Sequence, residues 1–151
     1  MKYLVGARGS KLSMAQTNWV ISELKKVNPN LEYEIKPITT KGDTDTRPLF
    51  TIEQKGIFEK EIDKAVAERE VDFAVHSLKD VPSQLADNLI IASIPKREKV
   101  NDVFISSDGS SLDKIKPGSV IGTSSLRRAV QVTRQRSDVT VKPIRGNIET
   151  R

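Results

Sequence analysis

Apolar positions along this chain repeat with two different periods, and each change of period marks an element. Tyr3 to Gly6 is a short apolar run that reads as a strand. Leu12, Ala15, Trp19, Val20, Leu24 and Val27 then recur at three- and four-residue steps, which predicts an amphipathic helix. Ser10 stands where its hydroxyl can accept an orphan N–H of the first turn, and Asn28-Pro29-Asn30 ends the helix. Leu31, Tyr33 and Ile35 alternate as a second strand, and the polar stretch from Thr39 to Pro48 reads as a loop. A second helix is predicted from Ile57 to about Glu70, with Phe58, Ile62, Ala65 and Val66 inward. Val71 to Val75 is a strand that delivers His76 to Asp80, and Leu89 to Ile94 reads as another. Val103-Phe104-Ile105 restarts the apolar pattern before an Asp108-Gly109 turn. Ser119 to Gly122 is a strand, Ser124 or Ser125 caps a helix running to about Gln135, Val139 to Ile144 is the next strand, and a helix start follows at Asn147.

Strands alternating with helices predict an α/β fold, with parallel or mixed sheets covered by helices. The segment from Pro95 to Asp102 is dense in charge and poor in core residues, and it is the expected crossover between two lobes, 1–96 and 97–151. The second lobe is left with two or three strands, few for a self-sufficient sheet, and reads as incomplete. The expectation is a fragment, with an open sheet edge through which copies can self-associate.

Composition narrows the chemistry. The sequence has no cysteine, so these residues offer no disulfide, thiolate metal site or thiol nucleophile. A single histidine argues against a histidine metal cluster. No apolar run approaches the roughly 18 residues of a membrane span, and the N-terminus reads as a strand, so a cytoplasmic protein with no membrane partner is expected. A net charge of +5 fits an anionic partner. Several arginines stand beside Gly, Ser and Thr at strand-to-helix junctions, a placement that suits carboxylates or phosphates more than a solvated helix face. Aromatic residues make up only 5%, too few for a stacking surface, and nucleic acid is not expected as a partner.

Candidate chemistry gathers at strand ends, the usual ligand position in α/β proteins. His76-Ser77-Leu78-Lys79-Asp80-Val81-Pro82 sets a cation beside a carboxylate. Asp80 is the best acid–base candidate, against a plain helix cap or surface ion pair; a carboxylate among cations stays ionised and can stabilise developing positive charge. His76 reads better as a hydrogen-bonded core histidine than as a catalyst. Gly6-Ala7-Arg8-Gly9-Ser10 links a strand to a helix and adds a cation where the helix dipole is already positive, against a simple connecting turn. Lys55-Gly56-Ile57-Phe58 could hold an anion through Lys55; periodicity makes Phe58 a core residue before it makes it a ring partner, and the loop from Thr39 to Gln54 could act as a lid. Gly122-Thr123-Ser124-Ser125-Leu126-Arg127-Arg128 offers hydroxyls, backbone N–H groups and two arginines. Adjacent helical residues point about 100° apart, so Arg127 and Arg128 are not expected to hold the same oxygen pair. Arg145 and Gly146 repeat the pairing of a cation with a glycine.

Together these segments resemble the porphobilinogen deaminase (hydroxymethylbilane synthase) family. The resemblance rests on Ala7-Arg8-Gly9-Ser10-Lys11-Leu12 with Gln16, on Lys55-Gly56-Ile57-Phe58 with Lys60-Glu61, and on Val75 to Pro82. It continues through Gly122 to Arg128 and through Arg145-Gly146-Asn147 with Thr150-Arg151. It implies a transferase that joins four porphobilinogen molecules head to tail into hydroxymethylbilane, releasing ammonia, with oligopyrrole intermediates held on a dipyrromethane cofactor. It implies two lobes like the type II periplasmic binding-protein fold and a monomeric whole enzyme. Asp80 would be the catalytic carboxylate. Arg8, Ser10, Lys55, Ser77, Lys79, Asp80, Thr123, Ser124, Ser125, Arg127, Arg128, Arg145, Gly146 and Arg151 would bind cofactor or substrate, with Phe58 near the substrate ring. The family's cofactor is linked to a cysteine of a third domain, and these 151 residues contain none, so this chain alone is expected neither to carry the cofactor covalently nor to turn over. The alternative is a stand-alone binding module for acidic small molecules, without catalysis.

Overall fold

The computed structural model describes residues 1–44 and 57–151. They fall into two compact units, Met1–Pro95 and Lys96–Arg151.

The first unit is built on β1 (Lys2–Arg8), which runs further in both directions than its apolar centre predicts. Parallel β2 (Glu32–Ile38) and β3 (Phe73–Ala74) flank it, giving the order β2-β1-β3. β3 is shorter than the expected Val71–Val75 strand, yet its neighbours still pair with β1: Asp72 N–H donates to Leu4 O at 2.8 Å and Val75 N–H to Gly6 O at 3.2 Å. The Asp72 carboxylate also accepts the Leu4 N–H at 2.7 Å. α1 (Lys11–Val27) buries Thr17 and Ile21, and the core comprises these with Val5, Ala7, Ile62, Ala65 and Val71. β1 lies close under its cover: a Cβ on Gly6 would meet Val71 Cγ2 at 3.1 Å. The expected loop after β2 contains a single helical turn, α2 (Lys41–Thr44).

α3 (Lys60–Ala67) is shorter at both ends than the predicted helix. It buries Ile62 and Ala65, whereas Phe58 lies in the turn before it and is half-buried, not a core residue. At the other end Arg69 turns left-handed (φ 59°), and Glu70 and Val71 direct their N–H groups back to Ala65 O.

No helix or strand forms between residues 81 and 119, so the strands expected at Leu89–Ile94 and Val103–Ile105 are absent. Ile90, Ile94, Val103 and Ile105 stand largely exposed there. Apolar patterning signals that a segment could be a strand, but a strand exists only where another backbone receives its N–H and C=O groups. In the second unit β4 (Val120–Gly122) pairs in parallel with β5 (Thr140–Lys142), and α4 (Leu126–Gln135) starts on a Ser125 cap. The helix start expected at Asn147 is a single turn closed by Arg151 N–H on Asn147 O at 3.1 Å, with Gly146 at φ +110°. No helix of the described residues is long and apolar enough to cross a membrane.

Candidate active site

In the first unit the ends of β1 and β3 and the start of α1 enclose a concavity lined by Arg8, Gln16, Phe58, Ser77, Lys79 and Asp80, with Ser10 and His76 beside them. β1 delivers Arg8 at its last residue. Its guanidinium lies 4.3 Å above the centre of the Phe58 ring and is clamped by Asp43, with Nε 3.2 Å from Oδ1. Burial pushes the Asp43 carboxyl up, but hydrogen bonds from Arg8 and Thr40 outweigh it and hold the group below the usual carboxylate range. Arg8 therefore faces the concavity as a held cation, stacked on an aromatic face.

Ser10 uses its hydroxyl oxygen to cap α1, accepting from Ser13 N–H at 3.3 Å. The Ser77 hydroxyl donates to Gln16 Oε1 at 2.9 Å, which ties the strand end to α1. After Ser77 the backbone tightens into a 3₁₀ turn, Leu78–Asp80, whose last N–H returns to Ser77 O at 2.9 Å. That turn directs Asp80 into the concavity, its side chain only 20% exposed, while Lys79 reaches round to donate to Asp80 Oδ1 at 2.7 Å from a largely exposed position. Lys55 lies outside the described residues, as does most of the expected lid.

His76 is not the satisfied core histidine that its place at a strand end predicts. It is half-buried, its Nε2 is shielded from solvent, and among the described residues that atom has no hydrogen-bond partner. Asp63 Oδ1 is 3.4 Å away but poorly aligned. Glu59 is buried, and burial pushes its carboxyl up against a hydrogen bond from the Phe58 backbone, with Asp63 and Asp80 adding to the rise. Asp43 and Glu59 escape sequence reasoning because each owes its importance to a partner distant in the chain or to burial, and no local spacing announces either.

The second unit gathers the remaining candidates around the β4–α4 junction. Thr123 Oγ1 accepts Ser125 N–H at 3.2 Å, the Ser124 hydroxyl donates to Ile144 O, and Ser125 Oγ caps Arg128 N–H. All three hydroxyls thus shape the junction itself. Arg127 and Arg128 converge on one carboxylate, contrary to the divergence expected of adjacent helical residues: Arg127 Nη1 is 2.9 Å from Asp102 Oδ2 and Arg128 Nη2 is 2.7 Å from Oδ1. The two side chains meet at Asp102, which accepts from both guanidiniums. Hydrogen bonds from Arg128, then Arg127, bring the Asp102 carboxyl down to about 2. Arg145 Nη1 is shielded and without a partner among the described residues, while Arg151 Nε donates to Gly146 O at 2.8 Å.

A chain built this way sets cations beside sheltered carboxylates, Asp43, Glu59 and Asp80, in its first unit. Residues 3–151 match the family model described as "Porphobilinogen deaminase, dipyromethane cofactor binding domain". The chain belongs to the porphobilinogen deaminase family. Among its relatives, a probable porphobilinogen deaminase of Nitrosopumilus maritimus is 82% identical over 151 residues, covering 100% of this chain and 49% of that protein. The porphobilinogen deaminase of Listeria innocua is 52% identical over 99% of this chain and 49% of its own length. That of Bacillus velezensis is 51% identical over 97% and 47%. The chain thus spans about half the length of the curated relatives it matches. The family model names a dipyrromethane-binding domain, and the 151 residues contain no cysteine to bind such a group covalently.

Proposed function

We propose that this chain supplies the catalytic carboxylate and much of the carboxylate-binding surface of a hydroxymethylbilane synthase. In that reaction four porphobilinogen molecules are joined head to tail, one ammonia leaving per unit. The observation that carries the reading is the placement of Asp80: a sheltered carboxylate at the foot of a concavity that also presents Lys79, Arg8 and the Phe58 ring. Pyrrole N–H groups are donors, and a fixed carboxylate can accept them while stabilising the positive charge that develops as the amine departs. Arg8 and Lys79 suit the acetate and propionate arms of the ring. In the second unit Arg127, Arg128, Arg145 and Arg151, with Thr123, Ser124, Ser125 and Gly146, suit acidic side arms of a pyrrole chain.

The residues present fit an acidic pyrrole cofactor, since Arg145 Nη1 is a shielded donor with no acceptor among the described residues. When bound, dipyrromethane supplies the primer on which the chain grows. In the second unit Arg145 and the β4–α4 junction would hold carboxylates of such a group. By the same reading residues 1–96 are a first domain and residues 97–151 part of a second, of the type II periplasmic binding-protein kind, and the whole enzyme works as a cytoplasmic monomer.

The test is Asp80→Ala in the full-length protein that carries this chain. Porphobilinogen consumption should fall by about two to four orders of magnitude, with porphobilinogen affinity lowered less. Unchanged turnover would remove Asp80 from catalysis. Retained affinity in an inactive wild-type protein would instead favour a binding module for acidic small molecules.

A further inference from the structure

The first turn of α4 contains no acidic residue, and Arg127 and Arg128 lie in it, at the positive end of the helix dipole. Two neighbouring guanidiniums there repel each other and the helix end alike. Asp102 supplies the missing negative charge from outside the helix. Its Oδ1 receives Arg128 Nε at 2.9 Å and Nη2 at 2.7 Å, together with Arg127 Nη2 at 3.3 Å, while its Oδ2 receives Arg127 Nη1 at 2.9 Å. Arg128 is thus held by its side edge and Arg127 by its tip, which leaves Arg128 Nη1 and Arg127 Nε uncommitted to Asp102. Both arginine side chains remain about half exposed, at 59% and 48%. A lone surface ion pair contributes little; a carboxylate that fixes two guanidiniums, one through a fork, sets their direction.

We propose that Asp102 is a positioning residue that gathers Arg127 and Arg128 into one fork, whose uncommitted N–H groups receive a ligand carboxylate. The ligand's identity as an acidic pyrrole rests on the function proposed above; the fork itself does not. Asp102 touches no reacting atom and acts only through the two arginines.

Porphobilinogen titrated calorimetrically into the 151-residue chain should bind Asp102→Ala about tenfold more weakly than the wild type, a difference of about 1.4 kcal/mol. Asp102→Asn keeps one acceptor oxygen and should recover part of that loss. In an Arg127→Ala/Arg128→Ala background the Asp102→Ala change should have no further effect, which a merely structural role would not produce. Equal or tighter binding by Asp102→Ala would make the carboxylate a competitor for the arginines and overturn the proposal. A second readout needs no ligand: the Nε–H NMR signal of Arg128 should exchange slowly with water in the wild type and quickly in Asp102→Ala. If porphobilinogen fails to bind the wild type, the acidic-pyrrole reading falls and this signal still decides the fork. Identical exchange in both proteins would show that Asp102 does not hold the pair.

Discussion

Arg8 is held in place by an aspartate thirty-odd positions away in the chain, and that one contact makes a testable pH dependence. Asp43 titrates below its ordinary value of 3.8 because Arg8 and Thr40 favour its charged form more than burial disfavours it. A carboxyl lowered on folding stabilises the native state fully above its unfolded value, and the contribution disappears as pH falls through the folded value. Asp43→Asn should therefore unfold at lower urea concentration than the wild type at pH 6, and the two midpoints should converge as pH drops well below 3.8. A gap that persists at the lowest pH would mean that Asp43 acts through shape and not charge. Arg8 was legible in the sequence as a cation at a helix start, and Asp80 as a carboxylate beside a lysine. Asp43 and Asp102 were not, because a counter-ion is chosen by tertiary approach. The convergence of Arg127 and Arg128 on Asp102 was missed for the same reason: helical spacing fixes where Cβ points, and four further bonds of an arginine can undo it.

At the scale of elements, the turn that ends α3 carries a strain that a glycine would relieve. Arg69 at φ 59° occupies the left-handed region, where a Cβ crowds the following carbonyl at a cost of about 1–2 kcal/mol. The position follows the last turn, where Glu70 and Val71 N–H groups close on Ala65 O, a geometry that usually recruits glycine. Arg69→Gly should raise the stability of the chain by about 0.5–1 kcal/mol after the entropy of a freer unfolded chain is deducted; the urea midpoint measures it, and a fall would show that the Arg69 side chain contributes more than its backbone costs. The elements themselves were legible wherever periodicity and a cap agreed, as in α1 with Ser10 and α4 with Ser125. They were not legible at Leu89–Ile94 and Val103–Ile105, where the apolar pattern is real but no strand lies alongside. Nor were their ends: periodicity carried the second helix back to Ile57, with Phe58 inside it, whereas the chain uses that ring as a platform for Arg8.

At the scale of the whole chain, burial is unevenly shared, and this sets how firmly each candidate site is held. Val5, Ala7, Ile21, Ile62, Ala65 and Val71 are buried in the first unit, whereas Ile121 is the sole buried apolar residue described in the second, and α4 buries none of its residues. Local opening costs least where few apolar side chains are covered. In hydrogen exchange the amides of β1 should therefore be the slowest, those of α4 faster, and those of residues 81–119 close to the rate of an unstructured chain. The Asp80 concavity then sits on the better-buried unit, the firmer setting that the catalytic role proposed for Asp80 requires. The arginine fork sits on the unit with less buried apolar surface, on a helix none of whose residues is buried. If porphobilinogen binds the fork, it should slow exchange in α4, because a ligand held only by the closed form slows any opening that destroys its site by a factor set by its concentration and affinity. If α4 is already as protected as β1 without ligand, and that protection fades on dilution, a second copy of the chain covers it. Protection independent of concentration would mean that the second unit is stabler than its burial allows.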